Sequence, residues 1–135
     1  MPTRVLLADD QSAICDWLKI VFESEGYHVD GEATNGQEAI SLALRFRPDV
    51  IVIDLQMPVL NGLDAARAIL NALPATLVIL YSANVLEAEV LDGLGIGIRG
   101  FSQKTGGSED ILHALCEVLA GRLYIAPGFR LAPLR

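Results

Sequence analysis

Positive charge is in short supply. Ten Lys and Arg stand against seventeen Asp and Glu, a formal net charge of −7, whereas a phosphate backbone or an anionic membrane surface is held by clustered cations. The chain is therefore expected to make no direct nucleic-acid contact and to bind no membrane; any DNA in its biology is touched by something else. Long apolar runs are missing too. The N-terminus reaches Asp9 after four apolar residues, too few for a signal peptide's apolar core, and no stretch approaches the length that crosses a bilayer. A cytoplasmic location is the expectation. Only two cysteines occur, Cys15 and Cys116, far apart and without metal-type spacing, so they read as reduced, half-buried thiols. Internal repeats and low-complexity tracts are absent.

What is present is enough apolar material for one core. The chain has 135 residues, of which 52% are hydrophobic and 20% charged, which fits a single folded domain and excludes a disordered segment. Its organising stretch is Val50-Ile-Val-Ile-Asp54, an apolar run without polar alternation, bounded by Pro48 and Pro58. Such a run suits a strand buried on both faces. An ionised Asp is expensive to bury, so Asp54 should emerge at the sheet edge, where ligands of open α/β sheets bind.

The other elements follow in order. Arg4–Ala8 reads as a first strand ending in Asp9 and Asp10. Ser12 is placed to cap a helix with Ile14, Trp17, Leu18 and Val21 at helical spacing, stopped by Gly26. Tyr27–Ala33 is a weaker strand suited to the sheet edge, and Asn35 or Gly36 opens a helix carrying Ala39, Ile40, Ala43 and Leu44. After Asp54 comes a turn to Gly62, then a helix with Ala66, Ile69, Leu70 and Leu73, ended by Pro74. Thr76–Tyr81 is a strand that delivers Ser82. Between Val85 and Gly97 the glycines at 93, 95 and 97 each cost a helix about 1 kcal/mol, so a short or irregular helix is expected. Ile98–Ser102 makes the last strand, Lys104 ends it, and Ser108 begins a helix with Ile111, Leu112, Leu115, Val118 and Leu119 on one side. Five strands alternating with five helices predict an α/β fold, a doubly wound parallel sheet with helices on both faces.

Asp9, Asp10, Asp54, Ser82 and Lys104 stand at the ends of four strands, and in a parallel sheet those ends share one edge. Three carboxylates in one small site need compensating positive charge, which a hard divalent cation such as Mg²⁺ supplies. The chemistry that fits is phosphoryl transfer to a carboxylate. Asp54 would be the nucleophile, the cation and Lys104 would neutralise the transferring group, and Ser82 would donate a hydrogen bond to it. Taken singly, each residue has an ordinary reading: a solvated strand end, a turn hydroxyl, a surface lysine. Their joint occurrence at successive strand ends is what points to a site.

In these motifs the chain, from Val5 to about Leu123, resembles the receiver domain of two-component response regulators. The paired acids match Asp9 and Asp10, the phosphoacceptor with its Met-Pro and Gly matches Asp54, Met57, Pro58 and Gly62, the hydroxyl position matches Ser82 before small Ala83, and the lysine matches Lys104. The resemblance implies a flavodoxin-like strand order 2-1-3-4-5. It also implies Mg²⁺ held by Asp9, Asp10, Asp54 and the backbone carbonyl of Gln56. Phe101, in isolation a core aromatic, falls at the family's switch position, where the ring turns inward as the hydroxyl residue, here Ser82, moves toward the phosphoryl group. Gln56 and Asn84 are placed to tune the lifetime of the acyl phosphate.

Gly97-Ile-Arg-Gly-Phe101 and Ala120-Gly-Arg-Leu-Tyr-Ile125 resemble the NarL/FixJ subgroup, whose members usually carry a DNA-binding output domain. Implied partners are a sensor histidine kinase or phosphotransfer protein, with self-association on phosphorylation as one output. Residues 1–123 are read as the receiver and 124–135 as a linker or cut tail. Lys104 is followed by Thr105 where many receivers have Pro, which leaves that loop's geometry open. A phosphatase of haloacid-dehalogenase type would need nucleophile and acid two apart after the first strand, whereas Asp9 and Asp10 are adjacent. A free-standing receiver that switches partners without phosphorylation is the remaining alternative.

Overall fold

The computed structural model describes residues 2–129; the end of the expected tail, residues 130–135, lies outside the described residues. Six strands form one parallel sheet in the order β2-β1-β3-β4-β5-β6, with β1 at Arg4–Ala8, β2 at His28–Ala33, β3 at Val50–Ile53, β4 at Leu77–Ser82, β5 at Gly100–Gln103 and β6 at Tyr124–Ile125. Five helices alternate with them: α1 (Ser12–Ser24), α2 (Gly36–Phe46), α3 (Gly62–Ala72), α4 (Glu87–Ile96) and α5 (Gly107–Leu119). The doubly wound architecture and the order of the first five strands are as expected, with β2 at the edge.

The unbroken apolar runs have a direct cause. Val50 and Val52 join Val5, Leu7, Ile79 and Tyr81 in a core closed by Cys15, Leu18 and Phe22 of α1 and by Ile111, Leu115 and Val118 of α5. Ile51 and Ile53 join Leu6, Val78 and Leu80 on the other face, against Ala39 and Ala43 of α2, Ala65, Ala66 and Ile69 of α3, and Val90 of α4. Successive side chains of a strand point to opposite faces, and here both faces are covered, so no polar alternation survives.

Helix starts decide how the strand ends are presented. Asn35 Oδ1 accepts from Glu38 N–H at 2.8 Å, and Asn61 Oδ1 accepts from Asp64 N–H at 2.9 Å, satisfying backbone donors that a helix N-terminus leaves free. Gly62 is dictated by close approach: a Cβ there would lie 2.2 Å from the Asp54 carbonyl oxygen. Its N–H donates to Leu55 O at 2.8 Å, which clamps α3 onto the end of β3.

Five expectations need correction. Ser12 is not the cap of α1: Gln11 holds that position with no side-chain hydrogen bond. Trp17 is 37% exposed and lies outside the core stripe, which runs instead through Cys15, Leu18 and Phe22; the helix is rotated so that the thiol, not the indole, faces the sheet. The thiols are not both half-buried, since Cys15 is buried and Cys116 exposed. The stretch after Val85 is a regular ten-residue helix. Its start is held by Glu89, whose Oε1 accepts the Leu86 N–H at 2.9 Å, and Gly93 is required by packing, because a Cβ there would lie 2.9 Å from two ring carbons of Phe101.

The fifth correction concerns the C-terminal segment. Tyr124 and Ile125, expected to begin a linker, pair in parallel with Gly100 and Phe101. Tyr124 N–H donates to Arg99 O at 3.0 Å and Ala126 N–H to Phe101 O at 2.8 Å. Ala126 and Phe129 are buried in the same core as Phe101. Strand β5 is therefore interior, and the C-terminal segment covers what would be its open edge.

Candidate functional site

The parallel sheet places the ends of β1, β3, β4 and β5 side by side, and the residues expected there come together. A cavity of about 410 Å³ is lined by Asp10, Gln11, Asp54, Gln56, Ser82, Ala83, Asn84 and Lys104. Asp9 lies behind it, 2% exposed. One carboxylate oxygen from each of Asp9, Asp10 and Asp54 falls within 4.8 Å of the others. Lys104 Nζ stands 2.7 Å from Asp9 Oδ2 and 3.3 Å from Asp54 Oδ2. A larger depression of about 750 Å³ lies at the opposite edge of the sheet, among Pro48, Leu73, Pro74 and Leu119. Its carboxylate, Asp49, already accepts the Arg4 N–H at 2.8 Å, so chemistry belongs to the smaller cavity.

Burial sets the electrostatics. Asp54 is 6% exposed, and desolvation, reinforced by the charge of Asp9, raises its pKa above the usual carboxylate value; Lys104 and the Gln56 N–H oppose the rise without cancelling it. Burial also works against the charge on Lys104, but the hydrogen bond to Asp9 and the charges of Asp54 and Asp9 outweigh it and hold the ammonium above its ordinary value. The site thus keeps a firm cation beside a carboxylate that is poorly solvated, an arrangement that favours an incoming group able to bring or share positive charge.

The donors fit a small hard cation. All three side chains offer oxygen, and among the described residues no hydrogen-bond donor other than the Lys104 ammonium reaches the buried Asp9 Oδ2. Asp9 Oδ1 accepts the Gln11 N–H at 2.9 Å, which fixes the carboxylate's orientation. Oxygen ligands with space left for water are the set that Mg²⁺ takes.

Ser82 and Asn84 both border the cavity, and Ser82 Oγ donates to Asn84 O at 2.9 Å. Phe101 is fully buried. The ring packs over Gly93 while the Ser82 hydroxyl is bonded to Asn84 O. Lys104 leaves β5 in a single 3-10 turn, Lys104–Gly106, which gives the loop geometry that Thr105 left open. Three neighbours escaped the sequence reading. Gln11 lines the cavity, Tyr81 carries the Lys104 ammonium 5.9 Å from its ring centre, and Asp110 accepts from Ser102 Oγ and from the Gln103 N–H. An acidic residue in a helix's first turn was the only signal for Asp110, and that signal is common.

A doubly wound sheet with three acids, a hydroxyl and a lysine at its carboxyl edge is the architecture of a phosphoacceptor switch. The family described as Response regulator receiver domain matches residues 5–116, and the chain belongs to it. The chain is 35% identical over 118 residues to the chemotaxis protein CheY of Thermotoga maritima, covering 87% of this chain and 98% of that one. To the transcriptional regulatory protein YdfI of Bacillus subtilis it is 31% identical over 125 residues, covering 92% of this chain but only 58% of the regulator. The signal receiver domain of the response regulator NarL from Mycobacterium tuberculosis superposes with a TM-score of 0.82 at 30% identity, covering 90% of this chain and 98% of that domain. The chain is thus a NarL-like receiver, the phosphorylation-dependent switch of two-component signalling, and receivers bind Mg²⁺ through acidic residues such as these. No described helix is long and apolar enough to cross a membrane.

Proposed function

We propose that Asp54 is the phosphoacceptor, receiving the group from a sensor histidine kinase or a phosphotransfer protein. The observation that carries this reading is the placement of Asp54 at the cavity, with Lys104 3.3 Å away and Asp9 and Asp10 beside it. An Asp54 carboxylate oxygen attacks phosphorus as the phosphorus–nitrogen bond of the donor phosphohistidine breaks, the electron pair staying on the imidazole. Lys104 neutralises negative charge on the group as it arrives. Ser82 must exchange its bond to Asn84 O for one to a phosphoryl oxygen; Phe101 is the residue at the switch position, its ring already buried before that exchange. Gln56 and Asn84, both at the cavity, set how readily water reaches the acyl phosphate and hence its lifetime.

Asp9, Asp10, Asp54 and the Gln56 carbonyl are the groups that would hold Mg²⁺. Bound there, the ion would offset charge on the phosphoryl oxygens. The chain spans 58% of the length of YdfI, and control of transcription is proposed as the output, exerted through a DNA-binding domain or through self-association. The net charge of −7 supports assigning DNA contact to such a domain and not to the receiver.

Intact mass after incubation with acetyl phosphate tests the reading. A Mg²⁺-dependent, hydroxylamine-labile adduct on the wild-type protein, lost in Asp54→Asn, is expected. An adduct that persists in Asp54→Asn, or none from acetyl phosphate or from phosphorylated histidine proteins, would overturn it.

A further inference from the structure

One carboxylate joins the reacting end of the sheet to the C-terminal strand. Asp110, in the first turn of α5, uses Oδ2 to accept from Ser102 Oγ at 2.6 Å and from the Gln103 N–H at 2.8 Å. Its other oxygen, Oδ1, accepts from the Tyr124 hydroxyl in β6. Gln103 directly precedes Lys104, whose ammonium bridges Asp9 and Asp54. A continuous path therefore runs from Asp54 through Lys104 and the Gln103 backbone to Asp110 and on to Tyr124.

Two further contacts tie the same pieces together. The Phe101 carbonyl accepts the Ala126 N–H at 2.8 Å, so the backbone of the switch aromatic is itself a rung of the β5–β6 ladder. The Gln103 amide lies so close over Gly128 that a Cβ there would be 2.2 Å from its Nε2. Any shift of the β5 end that follows rearrangement of Lys104 is thus imposed on Tyr124–Gly128. The carboxylate cannot follow Gln103 without moving its bond to Tyr124, because both are made by one rigid group.

We propose that Asp110 is a positioning residue for Lys104 that couples phosphorylation at Asp54 to the docking of the C-terminal strand, Tyr124–Ile125, against β5. The inference rests on Asp54 being the phosphoacceptor. It assigns the output lever to the segment that follows α5. By reciprocity, what loosens or holds that strand also changes how readily Asp54 is phosphorylated.

The test uses the full chain as wild type, Tyr124→Phe and Asp110→Asn. Each is treated with acetyl phosphate and Mg²⁺, the adduct is verified by intact mass, and amide exchange is followed at Tyr124 and Ala126. Phosphorylation should change those two rates by about fivefold or more in the wild type, the low end of typical coupling between sites. In Tyr124→Phe, which keeps the ring and both ladder bonds, the adduct should still form while the change falls below about twofold. Asp110→Asn should slow adduct formation as well as abolish the exchange response, which a purely structural role for the carboxylate would not do at unchanged thermal midpoint. If Asp110→Asn does not fold, Tyr124→Phe decides alone. Adduct with unchanged exchange in the wild type, or a full response in Tyr124→Phe, overturns the coupling and leaves the phosphoacceptor intact. Failure of the wild type to form any adduct overturns both.

Discussion

Asp54 is held where its charge is least welcome. Burial, and then Asp9, raise its pKa above the ordinary carboxylate value against the pull of Lys104 and the Gln56 N–H. A carboxyl that binds its proton more tightly folded than unfolded contributes stability below that raised pKa and loses it as pH climbs from the ordinary value of about 3.9 through the folded one. Asn imitates the neutral form. In a chelating buffer, Asp54→Asn should therefore be more stable than the wild type at neutral pH, with the margin shrinking as pH falls toward the ordinary carboxylate value. Urea midpoints at the two ends of that range check it; a variant less stable at neutral pH would mean that the Lys104 pair outweighs burial. At this scale Asp9, Asp10, Asp54, Ser82 and Lys104 were legible because each stands at the end of an apolar run. Val59 was not: nothing announces that a β-branched residue will sit at φ 70° with Leu60 N–H turned back to Pro58 O. That turn is set by the joining of β3 to α3, not by local preference.

At the level of elements, α4 shows where propensity misleads. Its glycines lower helix preference, yet the helix is continuous from Glu87 to Ile96, and the two interior glycines stand in opposite surroundings. A Cβ at Gly95 would meet nothing within 4 Å, whereas one at Gly93 would lie 2.9 Å from Phe101 Cε2 and Cζ. Gly95→Ala should stabilise the protein by about 0.5 kcal/mol, the usual gain from restricting the unfolded chain. Gly93→Ala should destabilise it by about 1–3 kcal/mol, the cost of overpacking a filled core, since the fully buried ring must move. Denaturant unfolding of the pair separates the two effects, and equal stabilisation by both would show that the Phe101 ring yields freely. The sequence exposes the number of glycines but not which of them faces an aromatic ring, and that ring comes from a strand after the helix.

Over the whole molecule, strands β1, β3 and β4 were legible because their buried faces make apolar runs long enough to read, and β2 and β5 because they stand between helical stretches in an alternating chain. Strand β6 was not, since two residues followed by Pro127 and Gly128 carry no periodicity. It exists because tertiary contacts capture it: Tyr124 on Asp110, Ala126 N–H on Phe101 O, and Phe129 buried against the core. The strand also has a protective consequence. Without it, the Arg99 and Phe101 carbonyls lose their partners and β5 becomes an open edge, the surface on which sheets pair with other chains. Phe129→Ala should cost about 3 kcal/mol, as for a large buried aromatic, a large share of the roughly 5–15 kcal/mol that holds a domain folded. A chain ending at Leu123 should lose more, because the ladder bonds go with the ring, and should associate as its concentration is raised. Urea denaturation reads the first effect and size-exclusion chromatography across a concentration series the second. A shortened chain as stable and as monomeric as the full one would mean that Tyr124–Phe129 rests on the sheet without contributing to it.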